Sequence, residues 1–247
     1  MARPVPAGAL AFGGALGAAF VLATAFTTTA VHAATIVVRS NGPSAGAFPV
    51  GKTLPTGAAI TLKAGDVLTV LDAGGTRVLR GPGRVAVSGA GQANVNGIAA
   101  LIADTGARQT RTGATRGAIA AAPHPTNVWF VDMTRGGNFC VSDVKALALW
   151  RAASDRAASW TVTRAGAPPV QIQFRPGQAV AAWPLAALPV TDGARFRIEG
   201  SMPVTITTRL LPSSPASLDS AAQALLDHGC TAQVDTLVAA TAVDSGS

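Results

Sequence analysis

From residue 34 onward, apolar and polar side chains alternate over short runs. In residues 170–174, for example, Val170, Ile172 and Phe174 alternate with two glutamines. A period of two is typical of a strand that buries one face. Turn-forming residues separate the runs, as in the sequence Ser-Asn-Gly-Pro at residues 40–43. The pattern therefore predicts many short, antiparallel strands rather than alternating strands and helices.

Two stretches of the chain carry this strand pattern. Residues 34–88 predict a small antiparallel β domain, and residues 127–212 contain about eight candidate strands whose spacing suggests a β-sandwich. Residues 89–126 are dominated by small and polar residues and predict a flexible, Gly/Ala-rich linker, with a helical turn or strand only near 99–103. The sequence thus predicts a mainly β protein.

The pattern changes in residues 213–241, which predict a short C-terminal helical segment. Apolar residues recur at positions 218, 221, 222, 225 and 226, which is the spacing of one helix face. Ser217 is a suitable N-cap, and Gly229 ends the helix. A second, shorter helical turn is indicated by Val234, Leu237 and Val238.

The first 33 residues have the pattern of a secretory signal peptide. Arg3 precedes an apolar run over residues 7–26, and the sequence Val-His-Ala at residues 31–33 suits cleavage before Ala34. The competing interpretation is an uncleaved membrane anchor, since about 20 apolar residues span a bilayer. We expect cleavage, a periplasmic or secreted location, and no transmembrane segment in the processed chain.

Composition and charge limit the kinds of catalytic and metal site that the chain can contain. The chain carries 19 basic and 12 acidic residues, a formal net charge of +7, and nearly all of its basic residues are arginine. Glu199 is the single glutamate, which excludes any mechanism that needs two glutamates. Two cysteines and three histidines are too few for a cysteine-rich zinc module. We expect no cofactor.

Cys140 and Cys230 are the two cysteines. An oxidising compartment favours a disulfide between them, which would fasten the C-terminal helix to the sandwich. The alternative is two separate buried thiols.

Residues 50–58 read Val-Gly-Lys-Thr-Leu-Pro-Thr-Gly-Ala, and strands follow up to the Gly-Pro-Gly of residues 81–83. This segment resembles the periplasmic FecR-like domain, in which a V-G-x-x-L-P-x-G entry precedes strands that end at a D-G turn. Asp72 is followed here by Ala-Gly-Gly instead. The resemblance implies a β-rich envelope module and, as one functional alternative, an accessory of envelope signalling. The second half is similar to uncharacterised exported proteins of Gram-negative bacteria, which imply no activity.

Residues 42–46 match the G-x-S-x-G pattern of a serine hydrolase, with Ser44 as nucleophile. That motif needs a strand before the serine and a helix after it, whereas Pro43 and the following turn residues oppose this context. The available bases are His124, in the predicted linker, and His228, at the end of the predicted helix. We therefore assign no catalytic residue. A secreted hydrolase or carbohydrate-active enzyme that uses aspartates with one of these histidines stays open as an alternative.

Two further candidate sites have simpler explanations. Asp132 and Asp143 flank a glycine pair in a way that calcium could use, but aspartates at such positions usually initiate turns, so we predict no metal site. The four tryptophans all lie in the second β region, where they could stack on sugar rings. Their apolar neighbours favour the core instead.

Arginines supply the remaining candidate surface. Arg77, Arg80 and Arg84 lie close together in the sequence and predict a contact patch, and three more arginines occur in the linker, at 108, 111 and 116. Such a basic chain attracts lipopolysaccharide phosphates or acidic glycans, whereas nucleic acid is not expected outside the cytoplasm. The alternative, which explains the arginines more simply, is an ordinary solvated surface. The sequence therefore favours a non-enzymatic exported module that binds or scaffolds a protein or polyanionic partner in the cell envelope. It does not indicate an oligomeric state.

Overall fold

The computed structural model confirms a mainly β protein, in which strand residues outnumber helical residues by more than two to one. It describes residues 34–55, 57–87, 95–103, 124–152 and 155–242. The predicted signal peptide over residues 1–33 lies outside the described residues, as do most of the predicted linker and its three arginines. None of the described helices has the length and hydropathy that crossing a bilayer requires.

Residues 34–87 form a four-stranded antiparallel sheet and a two-stranded ribbon. The strands are β1 (Thr35–Asn41), β2 (Thr53–Leu54), β3 (Ala59–Leu62), β4 (Val67–Asp72), β5 (Gly75–Arg80) and β6 (Gly83–Ala86). The sheet has the order β2-β1-β4-β5, and β3 pairs with β6. Because β1 and β4 are the central strands, both carry continuous runs of buried residues, such as 35–38 in β1.

In the described part of residues 127–212, eight strands form two sheets that face each other. They are β7 (Phe130–Asp132), β8 (Gly137–Val141), β9 (Ala148–Trp150), β10 (Ala158–Thr163), β11 (Val170–Phe174), β12 (Val180–Ala182), β13 (Arg195–Glu199) and β14 (Val204–Leu210). The sheet orders are β11-β10-β13-β14-β8 and β12-β9-β7. Both sheets contribute to one apolar core, including Leu149, Phe196 and Ile206. The predicted number of strands is confirmed.

The apolar run Ala-Leu-Ala-Leu-Trp at residues 146–150 is one of the eight candidate strands, and the structure forms a shorter strand there. Val144–Ala146 form a 3₁₀ turn, because the Asp143 side chain accepts a hydrogen bond from the backbone N–H of Lys145. Only β9 remains of the predicted strand.

The tryptophans belong to the core, as their apolar neighbours indicated. Trp129, Trp150 and Trp183 are buried, and Trp160 is half-buried against Gly200. The indole N–H of Trp183 donates to the carbonyl of Leu188 at 2.9 Å, so its polar atom is satisfied inside the protein. None of these four side chains forms an open stacking surface.

Three helices complete the described structure: α1 (Val95–Ile102), α2 (Leu218–Asp227) and α3 (Thr231–Ala240). Ser217 caps α2 in a capping box, and Gly229 follows with φ +66°, so the predicted start and end of this helix are confirmed. The structure places α1 where the sequence predicts mainly linker. Leu101 and Ile102 are buried, and the Trp129 indole donates to the carbonyl of Ile102 at 2.7 Å.

The helices complete a second apolar core. Ile36 and Val38 of β1, Trp129, and the inner faces of α2 and α3 pack together in it. The predicted disulfide between Cys140 and Cys230 is confirmed, with the two Cα atoms 5.9 Å apart. It joins β8 to the N-cap residue of α3. The boundaries drawn between the predicted domains stay predictions.

Candidate functional site

A cleft of about 420 Å³ opens where the end of β1, the β7–β8 turn and α3 come together. Its polar lining residues come from segments that are far apart in the chain. The residues that line it are Arg39, His124, Asp132, Arg135, Asp235, Thr236 and Ala239. Five of these seven side chains, Arg39, His124, Asp132, Arg135 and Asp235, carry charge or can exchange a proton.

Asp235 lies at the centre of the charged groups in this cleft. Its carboxylate accepts a hydrogen bond from Arg39 at one oxygen and from Arg135 at the other, each at 2.5 Å. The side chains of Arg39, Arg135 and Asp235 are 50%, 41% and 35% exposed. Three separate segments are thus joined by one carboxylate whose partners remain open to solvent.

The β7–β8 turn positions Arg135. Asp132 accepts hydrogen bonds from the backbone N–H and the hydroxyl of Thr134, at 2.9 and 2.7 Å, which folds the chain into a tight turn. Gly136 then passes so close to β14 that a Cβ atom would lie 2.9 Å from the carbonyl oxygen of Thr205. Arg135 also donates to the carbonyl of Ala232 in α3, which fixes its guanidinium over the helix.

The protonation of Asp235 follows from these contacts. Partial burial by itself raises its pKa, but the hydrogen bonds and positive charges of Arg135 and Arg39 outweigh burial and hold the pKa below its ordinary value. The carboxylate is therefore ionised at neutral pH, and the three-residue cluster carries a net charge of +1.

His124 and Asp132 complete the cleft. The Nδ1 atom of His124 lies 3.1 Å from the carbonyl oxygen of Pro125, and since a carbonyl only accepts, Nδ1 carries the hydrogen and Nε2 is the acceptor of the neutral ring. Asp132 adds a second acidic side chain to the lining of the cleft. Within the described residues, no group of three His, Cys, Asp or Glu side chains is arranged to hold a metal ion.

The structure separates the predicted arginine patch. Arg77 donates to the Asp72 carboxylate at 2.6 Å and to the carbonyl of Val87, and it is largely buried. Because side chains alternate along β5, Arg80 lies on the opposite face of that strand and is exposed. Arg84 is also exposed, on the neighbouring β6. The patch stays a prediction that now depends on Arg80 and Arg84.

Ser44 lies in a turn after β1 and is buried. Its backbone N–H donates to the buried carboxylate of Asp66 at 2.8 Å, and the backbone N–H of Lys63 donates to the same carboxylate at 2.6 Å. A hydrogen bond from the Ser44 side chain holds the pKa of Asp66 below its ordinary value, although burial acts in the opposite direction. Ser44 does not line the cleft that contains His124. Its contacts therefore stabilise a turn.

His228 and Asp143 occupy positions that organise local structure. His228 is the C-cap of α2, and its Nδ1 atom lies 2.9 Å from the carbonyl oxygen of Ala224. Asp143 caps the 3₁₀ turn. Neither residue lines the cleft.

Sequence patterns do not reveal Arg39, Arg135 and Asp235 as a group. Asp235 is separated from Arg39 by 196 residues and from Arg135 by 100. Each of the three residues occupies an ordinary polar position in its own strand, turn or helix. The spacing of neighbouring residues therefore does not identify any of them as part of a site. The sequence indicates His124 as a candidate base and Asp132 as a candidate calcium ligand, and the structure brings these two side chains to the same cleft.

Comparisons with known proteins found no family model, no curated protein sequence and no solved structure that matches this chain. The resemblance of residues 50–83 to the FecR-like domain, with its implied signalling role, therefore stays a prediction.

Proposed function

We propose that this chain is a non-enzymatic, exported module of the cell envelope that binds or scaffolds a protein or polyanionic partner through the cleft around Asp235. The observation that carries the proposal is the convergence of Arg39, Arg135 and Asp235 from three separate segments on one open concavity. A cleft of this volume is in the range that receives small ligands or a projecting side chain.

The two arginines support binding of a partner's acidic group. A guanidinium carries five N–H donors, and the pairing with Asp235 uses only part of this capacity. Because Asp235 already orients both side chains, less side-chain entropy is lost when a ligand binds. Asp132 is negatively charged, so the cleft favours a partner that carries a hydrogen-bond donor in addition to its acidic group.

Two observations support export. The disulfide between Cys140 and Cys230 suits an oxidising compartment. The first described strand begins at Thr35, directly after the proposed cleavage position, so removal of residues 1–33 leaves every described strand complete. Amino-terminal sequencing of the protein from a periplasmic or culture fraction tests this, and we expect Ala34 as the first residue. Recovery of only the precursor in the cytoplasm would contradict export.

A site-specific cross-linking experiment tests the cleft. A photo-reactive amino acid replaces Ala239, an exposed residue of the cleft, or Ala186, an exposed residue on a sandwich turn. We expect a cross-linked envelope partner from position 239 only, and its loss when Arg39→Gln and Arg135→Gln are added. Equal yields at both positions, or yields that do not depend on the arginines, would contradict the proposal.

One observation favours a second candidate, a secreted hydrolase or carbohydrate-active enzyme. His124 and Asp132 line the same cleft, and the Nε2 atom of His124 is the ring acceptor that a general base requires. Hydrolysis of chromogenic ester and glycoside substrates that is lost in His124→Ala and Asp132→Asn, but kept in His228→Ala, would support it. Activity that survives all three changes would eliminate this candidate.

Arg80 and Arg84 form a separate proposed contact with a polyanion. If they bind phosphate groups, Arg80→Gln combined with Arg84→Gln weakens binding to polyphosphate and reduces its salt dependence. Arg175→Gln combined with Arg195→Gln removes the same charge at exposed positions elsewhere and serves as the control. Equal losses in both double variants would show that net charge alone determines binding.

A further inference from the structure

The edge strands of this fold differ in how well they are protected. β2, β7 and β12 have only two or three residues each. Thr76 of β5 pairs with residues 241 and 242, and the strand also carries two arginines. The free side of β8 is covered, because the Gln233 side chain bonds both the N–H and the carbonyl of Cys140. Short length, charge and coverage are the usual ways to prevent strands from pairing with another chain.

β11 carries no charge and no covering side chain within its own five residues, and the nearest such protections, Pro169 and Arg175, lie just beyond its two ends. It is an edge of the five-stranded sheet and, among the described elements, pairs only with β10. Its five residues form an unbroken antiparallel register with β10, from Val170 opposite Val162 to Phe174 opposite Ala158. The strand contains no charged residue, no proline and no bulge. Within the part of the chain that the structure describes, no other strand pairs with its outer edge, which therefore presents backbone donors and acceptors to an incoming strand.

The sequence of β11 is also complementary to itself. Around Ile172, the two flanking residues are both glutamine, and the two outer residues, Val170 and Phe174, are both apolar. In an antiparallel pair centred on Ile172, each Gln171 lies opposite Gln173 of the other strand, and the apolar residues meet on the buried face. Self-complementarity of this kind is the requirement for a two-fold symmetric interface.

We infer that β11 is a docking edge for β11 of a second copy of this chain. The two five-stranded sheets join into one sheet across a two-fold axis that passes between the two Ile172 residues. The exposed Gln171 and Gln173 form cross-strand hydrogen bonds on the outer face. Because the pairing uses one short strand per chain, its area is small, and the dimer belongs with the weak, transient complexes. This inference is independent of the cleft.

Charge exchange at the two glutamines tests the register. Gln171→Glu with Gln173→Glu places carboxylates opposite each other at both cross-strand pairs, and the corresponding double lysine variant places ammonium groups there. We expect each variant alone to be monomeric in sedimentation equilibrium and an equimolar mixture to form a dimer. Thr191→Glu with Thr205→Glu adds the same charge at exposed positions away from β11 and serves as the control, which we expect to dimerise like the unmodified protein.

Several results would overturn the inference. These are an unmodified protein that stays monomeric up to about 1 mM, two charged variants that dimerise as well as the unmodified protein, or a mixture that does not dimerise. A control variant that also loses the dimer would show that added charge, and not the β11 edge, is responsible. Far-UV circular dichroism and thermal unfolding of each variant establish that it is folded, and the mixing experiment gives a result as long as both charged variants fold.

Discussion

The side chain of Gln233 makes hydrogen bonds with β8 of the kind that a neighbouring strand would make. Its amide oxygen accepts the N–H of Cys140, and its amide nitrogen donates to the carbonyls of Val128 and Cys140. The residue is buried, so water cannot replace these bonds. A glutamine on a helix normally suggests a solvated position, and only the structure shows that this one completes the hydrogen bonding of β8.

We expect Gln233→Leu to lower the free energy of unfolding by about 3 kcal/mol, because it leaves buried backbone groups without partners. Urea denaturation measures the loss. Gln223→Leu, on the more exposed side of α2, is the control and should change stability by no more than about 0.5 kcal/mol. Equal effects of the two changes would show that the amide contacts of Gln233 contribute little.

Asp235 makes stability depend on acidity. Its pKa is lower in the folded protein than in the unfolded chain, so its contribution is fully present above the ordinary value near 4 and is lost as pH falls through the folded value. We expect Asp235→Asn to cost about 1 kcal/mol at pH 7, a small amount because the pairs are partly exposed. The difference from the unmodified protein should shrink steadily when denaturation is repeated toward pH 3. A difference that stays constant over this range would contradict the assignment.

The turn after β1 depends on one glycine. Gly42 has φ +111°, and a Cβ atom there would lie 2.6 Å from a carboxylate oxygen of Asp66. Asp66 in turn fixes the backbone N–H groups of Ser44 and Lys63. The G-x-S-x-G pattern thus reflects the geometry of a turn around a buried carboxylate.

We expect Gly42→Ala to lower the unfolding free energy by about 2–3 kcal/mol, since both the backbone conformation and the nearby carboxylate oppose a side chain. Gly46→Ala in the same turn is the matched control, because an added Cβ there contacts nothing within 4 Å. Thermal unfolding of both variants tests the comparison. Similar stabilities would contradict the role assigned to Gly42.

Strands and helices were largely predictable, because their signals are local. The alternation in residues 170–174 and the helical spacing from Leu218 onward each arise from one face packing on a core, and the structure confirms both. Because side chains alternate along a strand, the sequence already implies that Arg77 and Arg80 lie on opposite faces of β5. Their closeness in sequence nevertheless suggested a shared patch. The cleft was not predictable, since the contact of Asp235 with Arg39 depends on how distant elements pack.

The disulfide is the covalent contact that joins the sandwich to the last two helices. Cys140 and Cys230 are 90 residues apart, and closing a loop of this length stabilises the fold by about 4–5 kcal/mol in the chain-entropy description. We expect Cys140→Ala with Cys230→Ala to lose stability by up to this amount in urea denaturation. Addition of reductant to the unmodified protein should produce a similar loss. A double variant as stable as the parent would show that packing alone holds the helices.

The shared core of β1 with α2 and α3 has a consequence for synthesis. Ile36 and Val38 lie near the beginning of the described chain, whereas the helices that cover them begin only at Leu218. Contacts over such a separation form late in folding. While the polypeptide emerges amino end first, Ile36 and Val38 can already meet Leu71 of β4, but the part of their cover that α2 and α3 provide is missing until nearly all of the polypeptide has been delivered.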